Sequence, residues 1–128
     1  MTFRTSLGRN KGSNHQGYMY TELMNTFRCN DLLTINISPK YFFSGVESFG
    51  GIGLSSYINL SDNLMLIPEM NTSIKNDSDF NSTLALRYSF STGKSLDLYY
   101  SNSAGIQDLG QLLQDKKPRI GIKLNFLY

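Results

Sequence analysis

Along most of the chain, apolar and polar residues alternate with a period of two. The last segment shows it best: Ile120, Ile122, Leu124, Phe126 and Tyr128 alternate with Arg119, Gly121, Lys123 and Asn125. A helix would return apolar residues every third or fourth position, so only a strand with one apolar and one polar face fits. The same alternation predicts seven earlier strands, over 2–8, 17–28, 32–43, 50–60, 64–75, 82–91 and 95–103. Helical spacing is confined to 106–113, enough for a turn or two inside a loop.

The connections sort into two kinds. Cys29-Asn30-Asp31, Ser61-Asp62-Asn63 and Thr92-Gly93-Lys94 carry the Asn, Asp and Gly chemistry of tight hairpin turns. Between them fall the longer links 9–16, 44–49, 76–81 and 104–118. This alternation predicts tight turns at one end of a sheet and long loops at the other. The expected fold is all-β, an antiparallel up-and-down barrel of about eight strands. It occupies 1–128 as one domain, or as the C-terminal portion of a larger barrel.

Composition narrows the function classes. A chain of 128 residues matches the length of one domain, and 40% hydrophobic residues argue against wholesale disorder. Charged residues make up only 17%, with sixteen Ser and twelve Asn in their place. A net charge of +2 is too weak to indicate a nucleic-acid partner. The lone Cys29 cannot form an internal disulfide, and the lone His15 excludes a histidine-cluster metal centre. The strongest apolar run, Leu64 to Ile67, is far shorter than the ~20 residues of a membrane-spanning helix. A helical membrane protein is excluded; a membrane β-barrel is not.

Alternation alone fits two solutions: apolar face inward in a soluble barrel, or outward in a barrel surrounded by lipid. Three features favour lipid. Ten residues at ~3.3 Å each, tilted ~40°, rise about 25 Å, the height of the apolar band in outer-membrane barrels. On the apolar face, Tyr88, Phe90, Phe126 and Tyr128 lie toward the tight turns. Tyr41, Phe43 and Tyr100 lie toward the long loops, and aliphatic residues fill the middle. This is the layout of two interfacial aromatic girdles. The opposite face is small and polar, with Glu22, Glu69, Arg87, Asp97 and Lys123 at mid-strand.

The segment Ile122-Lys123-Leu124-Asn125-Phe126-Leu127-Tyr128 resembles the C-terminal strand of outer-membrane β-barrel proteins of Gram-negative bacteria, which end on an aromatic residue. The resemblance implies an outer-membrane location, lipid and the barrel assembly machinery as partners, and an assembly signal formed by Ile122, Leu124, Phe126 and Tyr128. It implies a non-enzymatic protein, a porin-like passive pore or a small structural barrel, and leaves homo-oligomerisation open. No cofactor, metal or nucleic acid is implied. Residues 1–8 contain no signal peptide, so export implies a mature or truncated form. The alternative is a soluble lipocalin-like barrel that binds an apolar small molecule.

Other groupings carry less. Gly50-Gly51-Ile52-Gly53 lacks the following helix that a nucleotide-binding glycine loop requires. Asp77 and Asp79 lack the glycine and bidentate Glu of a full calcium loop. His15 beside Ser13 sits in a Gly/Ser/Asn stretch poorly suited to holding a catalytic pair. The charges Glu69, Arg87, Asp97 and Lys123 lie on successive strands, where neighbours can pair. They would form a packed network in a closed eight-strand barrel or line a water-filled pore in a larger one. Replacing Phe126 and Tyr128 together with Ser is expected to reduce membrane assembly severely, read as loss of heat-modifiable gel mobility; unchanged assembly would dismiss the signal.

Overall fold

The computed structural model of the chain describes residues 1–9, 17–74, 80–103 and 114–126. They form eight strands: β1 (Thr2–Arg9), β2 (Gly17–Arg28), β3 (Leu33–Ser44), β4 (Ser48–Ser61), β5 (Leu64–Ile74), β6 (Phe80–Ser91), β7 (Lys94–Ser103) and β8 (Gln114–Phe126). Each pairs antiparallel with its sequence neighbours in the order β1-β2-β3-β4-β5-β6-β7-β8. Among the described residues there is no helix. The single sheet curls into a half-barrel.

The alternating pattern explains both the strands and the sidedness of the curl. Asn36, Ser38 and Lys40 on β3, Asn71 and Ser73 on β5, and Asp97 on β7 are buried on one face. Their apolar neighbours Ile37, Tyr41, Met70 and Leu98 are exposed on the other. In a single-layer sheet, the buried face is the one that curvature crowds. A soluble antiparallel sheet normally covers its apolar face and wets its polar one; this sheet is inside out.

One patch of the inner face is aromatic. Tyr20 is 0% exposed and packs with Phe42 and Phe49, with Tyr18 against them. Ring centroids lie 5.7 Å apart for Tyr18–Phe42 and 5.1 Å apart for Phe42–Phe49, within the range of favourable aromatic pairs.

The links depart from the expected alternation in one place. The predicted long link 44–49 is a three-residue turn, Gly45-Val46-Glu47, between β3 and β4. The Ser44 amide donates to the Glu47 carbonyl at 2.8 Å, and the Ser44 hydroxyl accepts from the Val46 and Glu47 amides. Serine thus replaces the Asn-Gly chemistry on which turn recognition relies. The predicted link 104–118 is also shortened, because β8 begins at Gln114 and pairs with Ser103 past an irregularity between Ser101 and Ser103. Backbone hydrogen bonds extend this strand beyond its alternating apolar stretch. At the 91–94 turn, Gly93 has φ 76°, a conformation that favours glycine. The helical spacing over 106–113 falls outside the described residues.

Two glycines serve as seats for rings. Gly8 pairs with Tyr18 across β1 and β2, and Gly121 pairs with Tyr99 across β7 and β8. A Cβ at either glycine would overlap the tyrosine ring, so the hydroxyl end of each ring occupies the space a side chain would take on the adjacent strand. Gly121→Leu is expected to destabilise the fold by about 1–3 kcal/mol through overpacking, measured as a lowered urea midpoint. The Gly121→Leu/Tyr99→Ala pair should recover part of the loss; no recovery would show that the ring is not the obstacle.

Candidate functional site

The polar face carries two charged networks, each built by register. In the first, Arg4 of β1 stands opposite Glu22 of β2, and Glu22 opposite Lys40 of β3. The Arg4 Nη1 to Glu22 Oε2 distance is 3.8 Å, and Lys40 Nζ lies 3.6 Å from Glu22 Oε1. Lys40 then crosses β4 altogether. Its Nζ donates to Asn71 Oδ1 on β5 and lies 3.9 Å from Glu69 Oε1. The crossing is possible because β4 presents glycine there: a Cβ on Gly53 would stand 2.9 Å from Lys40 Nζ and 2.6 Å from Asn71 Oδ1. Asn71 Nδ2 donates to Glu69 Oε1 at 2.8 Å and to Asn81 Oδ1 at 3.3 Å, extending the network to β6.

The second network joins β6, β7 and β8. Arg87, Asp97 and Lys123 stand in register. Arg87 donates from Nε to Asp97 Oδ1 at 2.7 Å and from Nη2 to Oδ2 at 2.8 Å, a bidentate pair. Asn125 Nδ2 donates to Asp97 Oδ2 at 3.0 Å and to Ser95 Oγ at 3.2 Å. From β1 to β8 the charges therefore run Arg4, Glu22, Lys40, Glu69, Arg87, Asp97, Lys123, alternating in sign and skipping only glycine-rich β4.

Of the four charges singled out from sequence, the structure brings Arg87 and Asp97 together and sets Lys123 opposite Asp97. Glu69 does not join them: it pairs in register with Thr83, while Arg87 faces Met65, and its charged partner is Lys40. Lys40, Arg4, Asn71 and Asn125 were not recognisable as members of these networks from local pattern. The available signal was Gly51 and Gly53, which leave room for a long side chain from the next strand.

On the outer face, Tyr41, Phe43, Tyr88, Phe90 and Tyr100 are all exposed, as are Ile122, Leu124 and Phe126 of β8. Tyr128, His15, Ser13, Asp77 and Asp79 lie outside the described residues. Cys29 is an exposed free thiol near the β2–β3 turn.

Chemically, the inner face offers paired charges and hydrogen-bonding groups. Among the described residues no three His, Cys, Asp or Glu side chains gather to hold a metal, and every buried side-chain nitrogen or oxygen has a hydrogen-bond partner. A cavity of about 150 Å³ lies over the first network, lined by both its cations and its carboxylates. Compared with protein-family models, curated proteins and solved structures, the chain matches none.

The Lys40 side chain is only 2% exposed and that of Glu22 only 7%. Lys40→Met is expected to leave Glu22 with Arg4 as its neighbouring cation and the buried Asn71 Oδ1 without its ammonium donor, and to cost about 1–3 kcal/mol, the range for a buried polar group that loses its partner. Lys40→Met/Glu22→Gln should restore part of that stability in urea titrations. A silent Lys40→Met would show that the network carries no stability.

Proposed function

We propose that the chain forms the wall of a bacterial outer-membrane β-barrel and works without chemistry of its own, as a porin-like passive pore. The observation that carries this reading is the inverted polarity of the sheet. Leu54, Met70, Leu84, Leu98 and Ile122 are exposed on a continuous outer face, whereas Lys40, Asn71 and Asp97 are buried inside the curl. Taking one Leu or Ile side chain out of water is worth about 1.5–3 kcal/mol, so an apolar face spanning eight strands needs a cover. Contiguous apolar patches beyond a few hundred Å² mark contact with membrane or protein, and lipid matches this pattern across the whole convex surface.

The polar inner face supports the same reading. A lipocalin-like barrel holds its apolar ligand against apolar inner side chains, whereas this curl presents Asn, Ser and paired charges. The aromatic patch of Tyr20, Phe42 and Phe49 is already packed upon itself. The curvature also suits a pore: eight strands that form half a wall belong to a barrel wide enough to hold water. In such a lumen the two alternating networks would set the local field seen by passing solutes. Tyr41, Phe43, Tyr88, Phe90 and Tyr100 stand on the outer face as candidate anchors at the lipid–water boundaries. Ile122, Leu124 and Phe126, with Tyr128, remain the candidate assembly signal.

The test is cysteine scanning in lipid vesicles on a Cys29→Ser background with a membrane-impermeant thiol reagent. Cysteines at Leu84, Leu98 and Ile122 are expected to resist labelling, and those at Lys123 and Asn125, accessible on the polar face, to accept it. Strong labelling of the first set, or a chain that folds in water without detergent, would overturn the reading.

A further inference from the structure

We propose that the tight-turn end of β6 and β7 holds a basin that binds phosphate, free or as the monoester of a small solute. The basin's part in passage rests on the pore reading above; binding itself does not.

Side-chain size creates the space. Toward the long loops the inner face is filled by Tyr20, Phe42, Phe49 and Lys40, all buried. Near the 91–94 turn stand the small residues Ser89, Ser91 and Ser95, and a cavity of about 570 Å³ lies over them. It reaches from Met65 of β5 to Asn125 of β8, and its volume falls in the range of small-solute sites.

The charge of the lining sets this cavity apart from the one over the first network. There, Arg4 and Lys40 are balanced by Glu22 and Glu69. Here the described lining residues include the cations Arg87 and Lys94 and no carboxylate. Asp97 stands beside the cavity, but it lies between Arg87 and Lys123, so the local balance stays positive.

The donors are also in place. Arg87 meets Asp97 through Nε and Nη2, which leaves the two Nη1 N–H groups outside that pair. Ser95 Oγ accepts from Asn125 Nδ2 at 3.2 Å, so its own proton remains to be donated. The Ser89 and Ser91 hydroxyls and the Lys94 ammonium add donors from other strand positions. Donors spread around a cavity suit the tetrahedral oxygens of phosphate better than the two coplanar oxygens of a carboxylate, and hydrogen bonds to a charged group are the strong ones.

The test titrates the full chain, folded in detergent micelles, with inorganic phosphate, glycerol phosphate, glycerol and acetate, followed by calorimetry. Saturable binding is expected for both phosphates, with acetate weaker and glycerol silent. Lys94→Gln and Arg87→Lys are each expected to weaken phosphate binding about tenfold, the loss of one charge-assisted contact. Arg87→Lys keeps a cation beside Asp97, and Lys94→Gln changes an exposed turn position, so the pair stays readable if one variant folds poorly. Arg28→Gln removes an exposed cation of the β2–β3 turn, at the same end of the sheet, and should leave binding unchanged. No binding by the folded chain would overturn the proposal, as would acetate binding as tightly as phosphate. So would an equal loss in Arg28→Gln, which would reduce the effect to overall charge. Phosphate efflux from phosphatidylcholine vesicles separates the two levels. Binding without efflux defeats the pore reading alone, whereas efflux without binding defeats the basin alone.

Discussion

A single-layer sheet allows each side chain one of two destinations, and period-two alternation sends all apolar residues to one and all polar residues to the other. Everything else in this structure depends on that sorting. The curl buries the polar side and leaves Ile37, Leu54, Leu84 and Ile122 on the outside. In water, such a face would carry a penalty of about 1.5–3 kcal/mol for each large aliphatic side chain left wet. In hydrocarbon the same residues contribute favourably, and the backbone is already satisfied between strands. The proposed environment thus follows from the sign of the transfer free energy.

Turning the polar face inward creates the second requirement, that buried polar groups find partners. Burying an unpaired charge is far more costly than burying an apolar group. The sheet meets this by alternating charge from strand to strand. Glu22 lies between Arg4 and Lys40, and Asp97 between Arg87 and Lys123. Side-chain amides finish the work: Asn71 bridges Lys40, Glu69 and Asn81, and Asn125 supports Asp97. The abundance of Ser and Asn in the sequence has its physical reason here, as these residues supply donors and acceptors with no net charge.

Glycine has a related role. Gly53 lets Lys40 pass over β4, and Gly8 and Gly121 let Tyr18 and Tyr99 lie across the adjacent strand. In each case the absent side chain is filled by a large one from a neighbour, so glycine here is a packing partner for a specific residue.

The sequence by itself determined the eight strands, their antiparallel order and the partition of residues between two faces. Alternation is a local property, and backbone pairing needs no distant information. The tight turns at 29–32, 62–63 and 92–93 were equally legible through Asn, Asp and Gly. The turn at 45–47 was not, because a serine hydroxyl closes it. The beginning of β8 was hidden for a similar reason, since backbone pairing extends it past its apolar alternation. Only the tertiary structure decided which face the curl buries, because both curvatures satisfy the same alternation. It alone joined Lys40 to Glu69, because that contact spans a strand whose glycines offer no side chain to read. It alone set β1 and β8 on opposite rims of the described sheet, because curvature accumulates over all eight strands and is written in none of them.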